Sequence, residues 1–351
     1  MPKSRLAASV ALPLALVFLT ACGSPDETPK PEQPSATSPV STVTRDAIET
    51  AVFQATASQP PAANAETTPA TPDPAIARAQ ILLDRANFSP GVIDGLGGDN
   101  TRQAIAAFEK AADLPEDGVL DAEVFQRLTA GDAGKVMADY TITAADLAGP
   151  FIGPVPSDLQ AMSKLTTVGY ATPLEALAEK FHMTEGLLRA LNPGVDFGKA
   201  GQTIIVAAVV QTDLTADVAR IVVDKTERSV RAYDANDRLL AFYPATIGSS
   251  ARPAPSGDLT VVGVAPEPNY TYDPDRVSYD RGDRKVIVPA GPNNPVGSVW
   301  IDLSRDTYGI HGTPDPSKVG KTFSSGCVRL TNWDAEQLAS RVKPGVRVVF
   351  R

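Results

Sequence analysis

The chain has 351 residues, of which 32 are Lys or Arg and 41 are Asp or Glu, so its formal net charge is −9 at pH 7. A chain this acidic lacks the basic footprint of nucleic-acid-binding proteins, and we expect no nucleic-acid partner. With two histidines and no acidic cluster beside them, it offers no convincing metal site, and we expect neither a metal nor another cofactor. The length allows two or three domains.

Residues 1–21 have the pattern of a secretory signal peptide, because Lys3 and Arg5 precede the apolar residues 6–19. That apolar run is too short and too interrupted for a confident membrane span. It ends in a lipobox at Cys22, which predicts cleavage there and a lipid anchor of several acyl chains on this cysteine. The alternative is an ordinary secretory signal with an incidental cysteine.

Residues 22–71 are rich in Pro, Ser, Thr and Ala, a composition that cannot bury enough apolar surface to order itself. We therefore expect a lipidated, disordered tether, in which a patch near residues 44–57 could form a transient helix. Gly23, rather than aspartate, follows Cys22. In a two-membrane bacterium this resembles sorting to the outer membrane, so we expect a lipid-anchored protein of the cell envelope, in the periplasm.

Residues 72–130 predict a small three-helix bundle. Asp73 is a good N-cap before a proline at the first helical position, a second helix starts at Asn100 or Thr101, and Asp121 caps the third. The glycine-containing turns at 91–95 and 114–119 resemble those of the peptidoglycan-binding-like domain. Turn geometry alone explains these glycines, so wall binding is implied only by the resemblance.

We expect a linker at residues 131–162 and a strand-helix-helix-strand module at residues 163–210. Thr172 and Glu175 form a capping box around a first-turn proline, and Thr184 starts a second helix. The order resembles a degenerate LysM module, in which Ala171-Thr172-Pro173 replaces the usual Gly-Asp-Thr and weakens any prediction of glycan binding. We interpret His182 as structural.

Residues 211–351 predict a mainly-β domain, so the whole chain is expected to be a multidomain α+β protein. Thr331 opens its one clear helix, and residues 266–285 form a polar insertion with three tyrosines that is either a lid over a groove or a solvated loop. Short runs of β-forming residues predict its strands: 221–223, 229–233, 259–264, 286–289, 299–303, 308–311 and 346–350.

Two short motifs in this domain carry chemistry. His311 stands in Ile310-His311-Gly312-Thr313, and Cys327 follows sixteen residues later beside Gly326. A thiol needs a base or a positive neighbour to become a nucleophile, and histidine is the natural base near neutral pH. Arg329 projects to the same side as Cys327 if the segment is a strand, and its guanidinium could clamp a substrate carboxylate.

These motifs, from Ile310 to Thr313 and from Ser324 to Leu330, resemble the signature of the L,D-transpeptidases with a YkuD-type catalytic domain. The resemblance implies peptidoglycan tetrapeptide stems as substrates, a Cys327 acyl-enzyme, His311 as base and susceptibility to carbapenems. It also implies that the Gly312 carbonyl orients the imidazole and that amides at Gly326 and Cys327 stabilise the oxyanion. Ser324 and Ser325 belong to the same substrate-binding loop.

Three functions remain open at this level. The first is a transpeptidase that cross-links stems. The second is an enzyme that attaches or releases an envelope protein at the wall, or an L,D-carboxypeptidase that uses water. The third is a non-enzymatic wall-binding lipoprotein. For the cross-linking enzyme the partners are stem peptides, glycan and the membrane lipid, and we expect a monomer. Because each N-terminal module has its own apolar face, a fragment from residue 212 to 351 is predicted to fold alone.

Overall fold

The structure is a computed structural model that describes residues 43–53, 71–209, 213–277 and 279–351. The predicted signal peptide, Cys22 and most of the predicted tether lie outside the described residues. Among the helices that the structure does describe, none combines the length and apolar character needed to cross a membrane.

The N-terminal part of the described chain is helical, with α1 at Arg45–Glu49, α2 at Pro74–Arg85, α3 at Asp99–Ala111 and α4 at Ala122–Gly131. The predicted N-caps are present: the Asp73 side chain accepts hydrogen bonds from the first turn of α2, and that of Asp121 accepts from Val124 N at 2.8 Å. Helix α3 begins one residue before its predicted start, after Gly98.

Part of the segment predicted to be a disordered tether is ordered. Ile48 of α1 is fully buried in the same apolar cluster as helices α2 to α4. The Glu49 carboxylate accepts hydrogen bonds from the backbone of Val136 and Met137, and Arg45 pairs with Asp139 at 2.7 Å. The prediction of disorder was wrong for residues 43–53, although the helix expected near residues 44–57 lies there. Composition does not show that one apolar side chain has a tertiary pocket to fill.

The next part combines two strands with three helices: β1 at Met137–Thr141, α5 at Leu159–Met162, α6 at Pro173–Lys180, α7 at Glu185–Leu191 and β2 at Thr203–Ala207. Strands β1 and β2 pair antiparallel, with Met137 opposite Ala207. The first strand therefore lies within the predicted linker 131–162 and not within 163–171. Residues 142–172 form a long excursion between β1 and α6.

The C-terminal part is mainly β, as predicted, and all the predicted strands are present. The strands and the last helix are β3 Arg220–Asp224, β4 Ser229–Tyr233, β5 Leu239–Pro244, β6 Ile247–Gly248, β7 Gly257–Pro266, β8 Tyr270–Tyr272, β9 Val286–Val288, β10 Val299–Leu303, β11 Gly309–His311, β12 Phe323–Ser324, β13 Val328–Arg329, α8 Asn332–Ser340 and β14 Arg347–Phe350. Eight of them form one sheet in the order β13-β11-β10-β7-β14-β3-β4-β5. Strand β7 joins its two halves, since residues 257–260 pair with β14 and residues 261–266 with β10.

The helical and β parts share a core. Phe242 of β5 is fully buried in the apolar cluster of the helical part, and its backbone exchanges hydrogen bonds of 2.9 Å with Asn87 and Ser89. Ser89 Oγ donates to the buried Asp334 of α8 at 2.9 Å. The described residues from 43 to 351 accordingly belong to one compact unit. A fragment from residue 212 would expose these surfaces, so the prediction that it folds alone does not suit this structure.

The tyrosine-containing part of the insertion is packed, whereas residues 280–285 are exposed. Tyr272 is 1% exposed in an apolar cluster with Leu159, Met162 and Val168 of the excursion. Its hydroxyl donates to Gly282 O at 2.8 Å, a contact within the insertion.

Candidate active site

The sheet register brings the predicted cysteine, histidine and arginine to one face. Strands β11 and β13 are parallel, with Ile310 opposite Val328 and His311 opposite Arg329. Side chains two residues apart share a face of a strand. Cys327 directly precedes β13 and so lies on the face that carries His311 and Arg329.

His311 is held in one orientation and one protonation state. Its side chain is 2% exposed, and its ring stacks on Trp300 with 5.3 Å between the centroids. Nδ1 lies 2.6 Å from Gly312 O. A carbonyl oxygen only accepts, so Nδ1 carries the proton and Nε2 has the lone pair. The backbone of Val296 also acts on the ring and, like that of Gly312, favours its protonated form. Burial, with the positive charge of Arg329, lowers the pKa of His311 to about 3, so the imidazole is neutral at pH 7.

The Cys327 thiol is half-buried and reduced. Burial raises the pKa of the thiol, while the backbone of Gly309 and the charge of Arg329 act in the opposite direction. In the part of the chain that the structure describes, Sγ donates to Thr307 O at 3.6 Å and not to His311. The resting thiol and the resting imidazole are therefore both neutral at pH 7.

The loop before Cys327 is fixed by one hydroxyl. Ser324 Oγ donates to Cys327 O at 2.5 Å and accepts from Gly326 N at 3.1 Å. Gly326 has φ +125°, and a Cβ there would lie 2.9 Å from the Tyr308 ring, so only glycine fits. The Gly326 amide, predicted to face the oxyanion, is already hydrogen-bonded to Ser324. Among the described residues the Cys327 amide has no acceptor, and it remains available.

Arg329 faces a cleft of about 220 Å³ without a carboxylate partner among the described residues. Its Nε atom is buried and makes no hydrogen bond. Arg281 of the insertion lines the same cleft, as does Met162 of α5. Asp315 and Lys318, which pair with each other, line the cleft as well, so the two guanidinium groups leave it positively charged and suit a ligand that carries a carboxylate.

Sequence reasoning missed several residues around this site because their partners are distant in the chain. Arg252 Nη1 donates to Ser325 Oγ at 3.2 Å, and its guanidinium lies 5.7 Å from the centre of the Tyr279 ring. Asn332 accepts from Thr313 N beside the histidine motif. No local pattern marks these residues, and only the fold could have identified them.

The second histidine lies apart from the site. His182 is buried, its Nδ1 is 3.1 Å from Asp84 Oδ2, and its ring stacks on Trp333 at 4.8 Å. Burial would lower its pKa, but the Asp84 carboxylate outweighs burial and raises it. This contact joins three parts of the fold, in keeping with the structural interpretation. Within the described ranges no cluster of three His, Cys, Asp or Glu side chains could hold a metal ion.

Known protein families match both the N-terminal helical part and the C-terminal β part of the chain. Residues 218–350 match the L,D-transpeptidase catalytic domain, and residues 72–128 match the family described as "Putative peptidoglycan binding domain". The chain is 34% identical over 177 residues to "Putative L,D-transpeptidase YkuD" from Bacillus licheniformis, covering 50% of this chain and 91% of that one. It is 33% identical over 184 residues to "Probable L,D-transpeptidase ErfK/SrfK" from Escherichia coli, covering 50% and 58%.

Among solved structures, the L,D-transpeptidase from Mycobacterium smegmatis matches 42% of this chain and 66% of that one, with 18% identity and a TM-score of 0.32. Family membership rests on the sequence relatives, above all on the one that is matched over nine tenths of its length. The chain belongs to the L,D-transpeptidase family. It is an enzyme of that class, with a peptidoglycan-binding domain ahead of the catalytic domain.

Proposed function

We propose that the enzyme cross-links peptidoglycan by transferring the acyl part of a tetrapeptide stem through Cys327. Sγ attacks the carbonyl between the L-centre and the terminal D-residue, and a thioester replaces the amide bond. The observation that carries this proposal is the shared face of Cys327, His311 and Arg329, with the imidazole oriented by Gly312 O.

His311 is the proton carrier in this proposal. The Cys327 proton moves from Sγ to Nε2 as the S–C bond forms, and then to the amine of the departing D-residue as the C–N bond breaks. Because both groups are neutral at rest, no ion pair has to form before attack. In the second half-reaction Nε2 takes a proton from the acceptor amine as the new C–N bond forms. The C–S bond then breaks, and Sγ recovers its proton from Nε2.

The oxyanion requires donors that are not already used. The free Cys327 amide meets this condition, whereas the Gly326 amide would first have to leave Ser324 Oγ. We assign the Ser324 hydroxyl to holding the loop and Ser325, through Arg252, to shaping its outer rim. One preorganised donor of this kind can contribute about 10²–10³ in rate.

Arg329 is proposed to bind a carboxylate of the stem. A buried guanidinium nitrogen without a partner is costly, and a carboxylate ligand would satisfy it. Arg281, which forms no ion pair among the described residues, lines the same cleft and supports a ligand that carries a carboxylate.

The other parts of the chain are proposed to hold the enzyme at the wall. The domain at 72–128 would bind peptidoglycan, and the βααβ arrangement of β1, α6, α7 and β2 supports a LysM-like module with glycan as its ligand. Lipidation of Cys22 would anchor the protein in the cell envelope, with the lipid in the outer membrane and the folded chain in the periplasm.

The test is incubation of the purified mature chain with tetrapeptide-stem muropeptides, with products identified by mass. A cross-linked dimer that lacks one terminal D-residue supports the proposal. Trimmed monomers alone would instead indicate a carboxypeptidase, and unchanged muropeptides would indicate that the chain only binds the wall. Cys327→Ala is the control in each case.

A further inference from the structure

One side chain of α8 holds the peptide that orients the catalytic histidine. Asn332 is 4% exposed and uses both ends of its amide. Oδ1 accepts from Thr313 N at 3.1 Å and from Ser298 N at 3.2 Å. Nδ2 donates to Glu179 Oε2 at 3.0 Å and to Pro292 O at 3.2 Å.

The peptide between Gly312 and Thr313 transmits this contact to His311. In a trans peptide the C=O and the N–H point in opposite directions. With Thr313 N–H directed at Asn332 Oδ1, the Gly312 carbonyl is directed away from Asn332, and it receives the bond from His311 Nδ1 at 2.6 Å. If this peptide rotated, Nδ1 would lose the Gly312 carbonyl as its acceptor. The ring proton would then no longer be held on Nδ1, and Nε2 would no longer be kept unprotonated.

Glu179 fixes the Asn332 amide from outside the catalytic domain. It belongs to α6, is 7% exposed and has no hydrogen-bond partner for Oε1 among the described residues. If the amide flipped, its NH₂ would face two N–H donors, and its oxygen would face the Pro292 carbonyl. Glu179 and Pro292 together therefore select one orientation.

We propose that Glu179 is a positioning residue for His311, so that packing of the module at residues 137–207, which contains α6, against the catalytic domain completes the site. The chain of contacts is Glu179 to Asn332, Asn332 to the Gly312-Thr313 peptide, and that peptide to the imidazole. This inference rests on the proposed role of His311 as base. It gives the module a part in catalysis in addition to wall binding.

The charge state of Glu179 determines which substitution preserves its hydrogen bond to Asn332. Burial raises the pKa of Glu179 to about 8; the Asn332 bond opposes this, and Glu175 and Glu336 add to it. The carboxyl group is then mostly protonated at pH 7 and resembles a glutamine amide in shape and charge. Glu179→Gln should therefore keep the acceptor, whereas Glu179→Met keeps the length of the side chain and loses it.

The experiment compares these two variants of the full chain with Ser89→Ala as the matched control. Ser89→Ala removes another buried hydrogen bond to α8, that to Asp334, and does not touch Asn332. Two readouts are taken: kcat and KM on muropeptides, and the imidazole ¹⁵N shifts. Because the chain has only two histidines, the labelled spectrum contains two imidazoles, and His311→Gln identifies the signals of His311.

We expect Glu179→Met to lower kcat about tenfold with KM within about twofold, and to give His311 a mixture of tautomers. Glu179→Gln and Ser89→Ala should retain the wild-type tautomer and a kcat within about threefold. An unchanged kcat and tautomer in Glu179→Met would overturn the inference.

Two further results keep this test independent of folding and of the proposed function. If Glu179→Met does not fold, Asn332→Ala must produce the same mixture of tautomers, and a single Nδ1–H form there would overturn the inference. A wild type that shows no turnover would contradict the proposed function, while the tautomer shifts would still decide whether Glu179 positions the ring.

Discussion

The neutral resting state of the Cys327 and His311 pair leads to a specific pH dependence. We expect acylation of the enzyme by a carbapenem to remain fast at pH 5, well below the usual pKa of histidine. Burial and the nearby Arg329 lower the pKa of His311 to about 3, and burial raises the pKa of Cys327. The reactive form, neutral thiol with neutral imidazole, should therefore dominate from about pH 4 to pH 8.

The size of the effect follows from these values. The pKa of His311 falls from 6.5 to about 3, and at 1.36 kcal/mol per pKa unit a charged imidazole costs on the order of 5 kcal/mol in the resting fold. An unperturbed histidine would be mostly protonated at pH 5, and the rate would be about thirtyfold below its plateau. With the lowered pKa, the loss at pH 5 is negligible.

The assay is stopped-flow loss of carbapenem absorbance between pH 4 and pH 9 at constant ionic strength, with unfolding followed in parallel. A rate that falls tenfold per pH unit below about 6.5 would show a solvated histidine and refute the reasoning.

The same shift affects stability, and its sign can be checked. A histidine with a lowered folded-state pKa is protonated more readily in the unfolded chain, so its contribution to stability is lost as the pH falls from 6.5 towards 3. Glu179 and Asp334, with raised pKa values of about 8 and about 7, act with the opposite sign as the pH rises. The difference between wild type and His311→Gln isolates the histidine.

Three further predictions test other parts of the account. Arg329→Lys keeps the charge but loses the planar fork, so KM should rise about tenfold or more while acylation by a carbapenem persists; an unchanged KM would remove Arg329 from substrate binding. The fragment 213–351 should aggregate or stay inactive, because each newly exposed core side chain such as Phe242 costs about 1.5–3 kcal/mol; a soluble, active fragment would contradict the shared core. Cys22→Ala should release the protein from membranes or block its processing, and unchanged partition and mature mass would refute lipidation.

Local sequence patterns predicted much of the fold because the relevant interactions are short-range. Asp73, Asp121, Thr172 and Thr331 each cap the helix predicted to follow, through a hydrogen bond within three residues. The strands followed from their β-branched and apolar residues. The excursion between β1 and α6 was not visible, because the pairing of Met137 with Ala207 spans seventy residues.

In the candidate site, too, local motifs predicted some residues, and other features depend on contacts that only the fold creates. Cys327, His311 and Arg329 could be proposed from two motifs, and the parallel register of β11 and β13 places His311 opposite Arg329. The occupied Gly326 amide could not be predicted, since a hydroxyl two residues away competes with any ligand for it. Glu179 was also hidden, because it reaches Asn332 only through the packing of two parts of the fold.

The most direct test of the central claim is the intact mass of the protein after exposure to a carbapenem. The account predicts one covalent adduct on the wild type, located on the peptide that contains Cys327, and none on Cys327→Ala, which should also release no product from muropeptides. Cys327→Ser should lose turnover as well, because a hydroxyl is far harder to deprotonate than a thiol. An adduct or turnover that persists in Cys327→Ala would contradict the account and place the chemistry elsewhere in the chain.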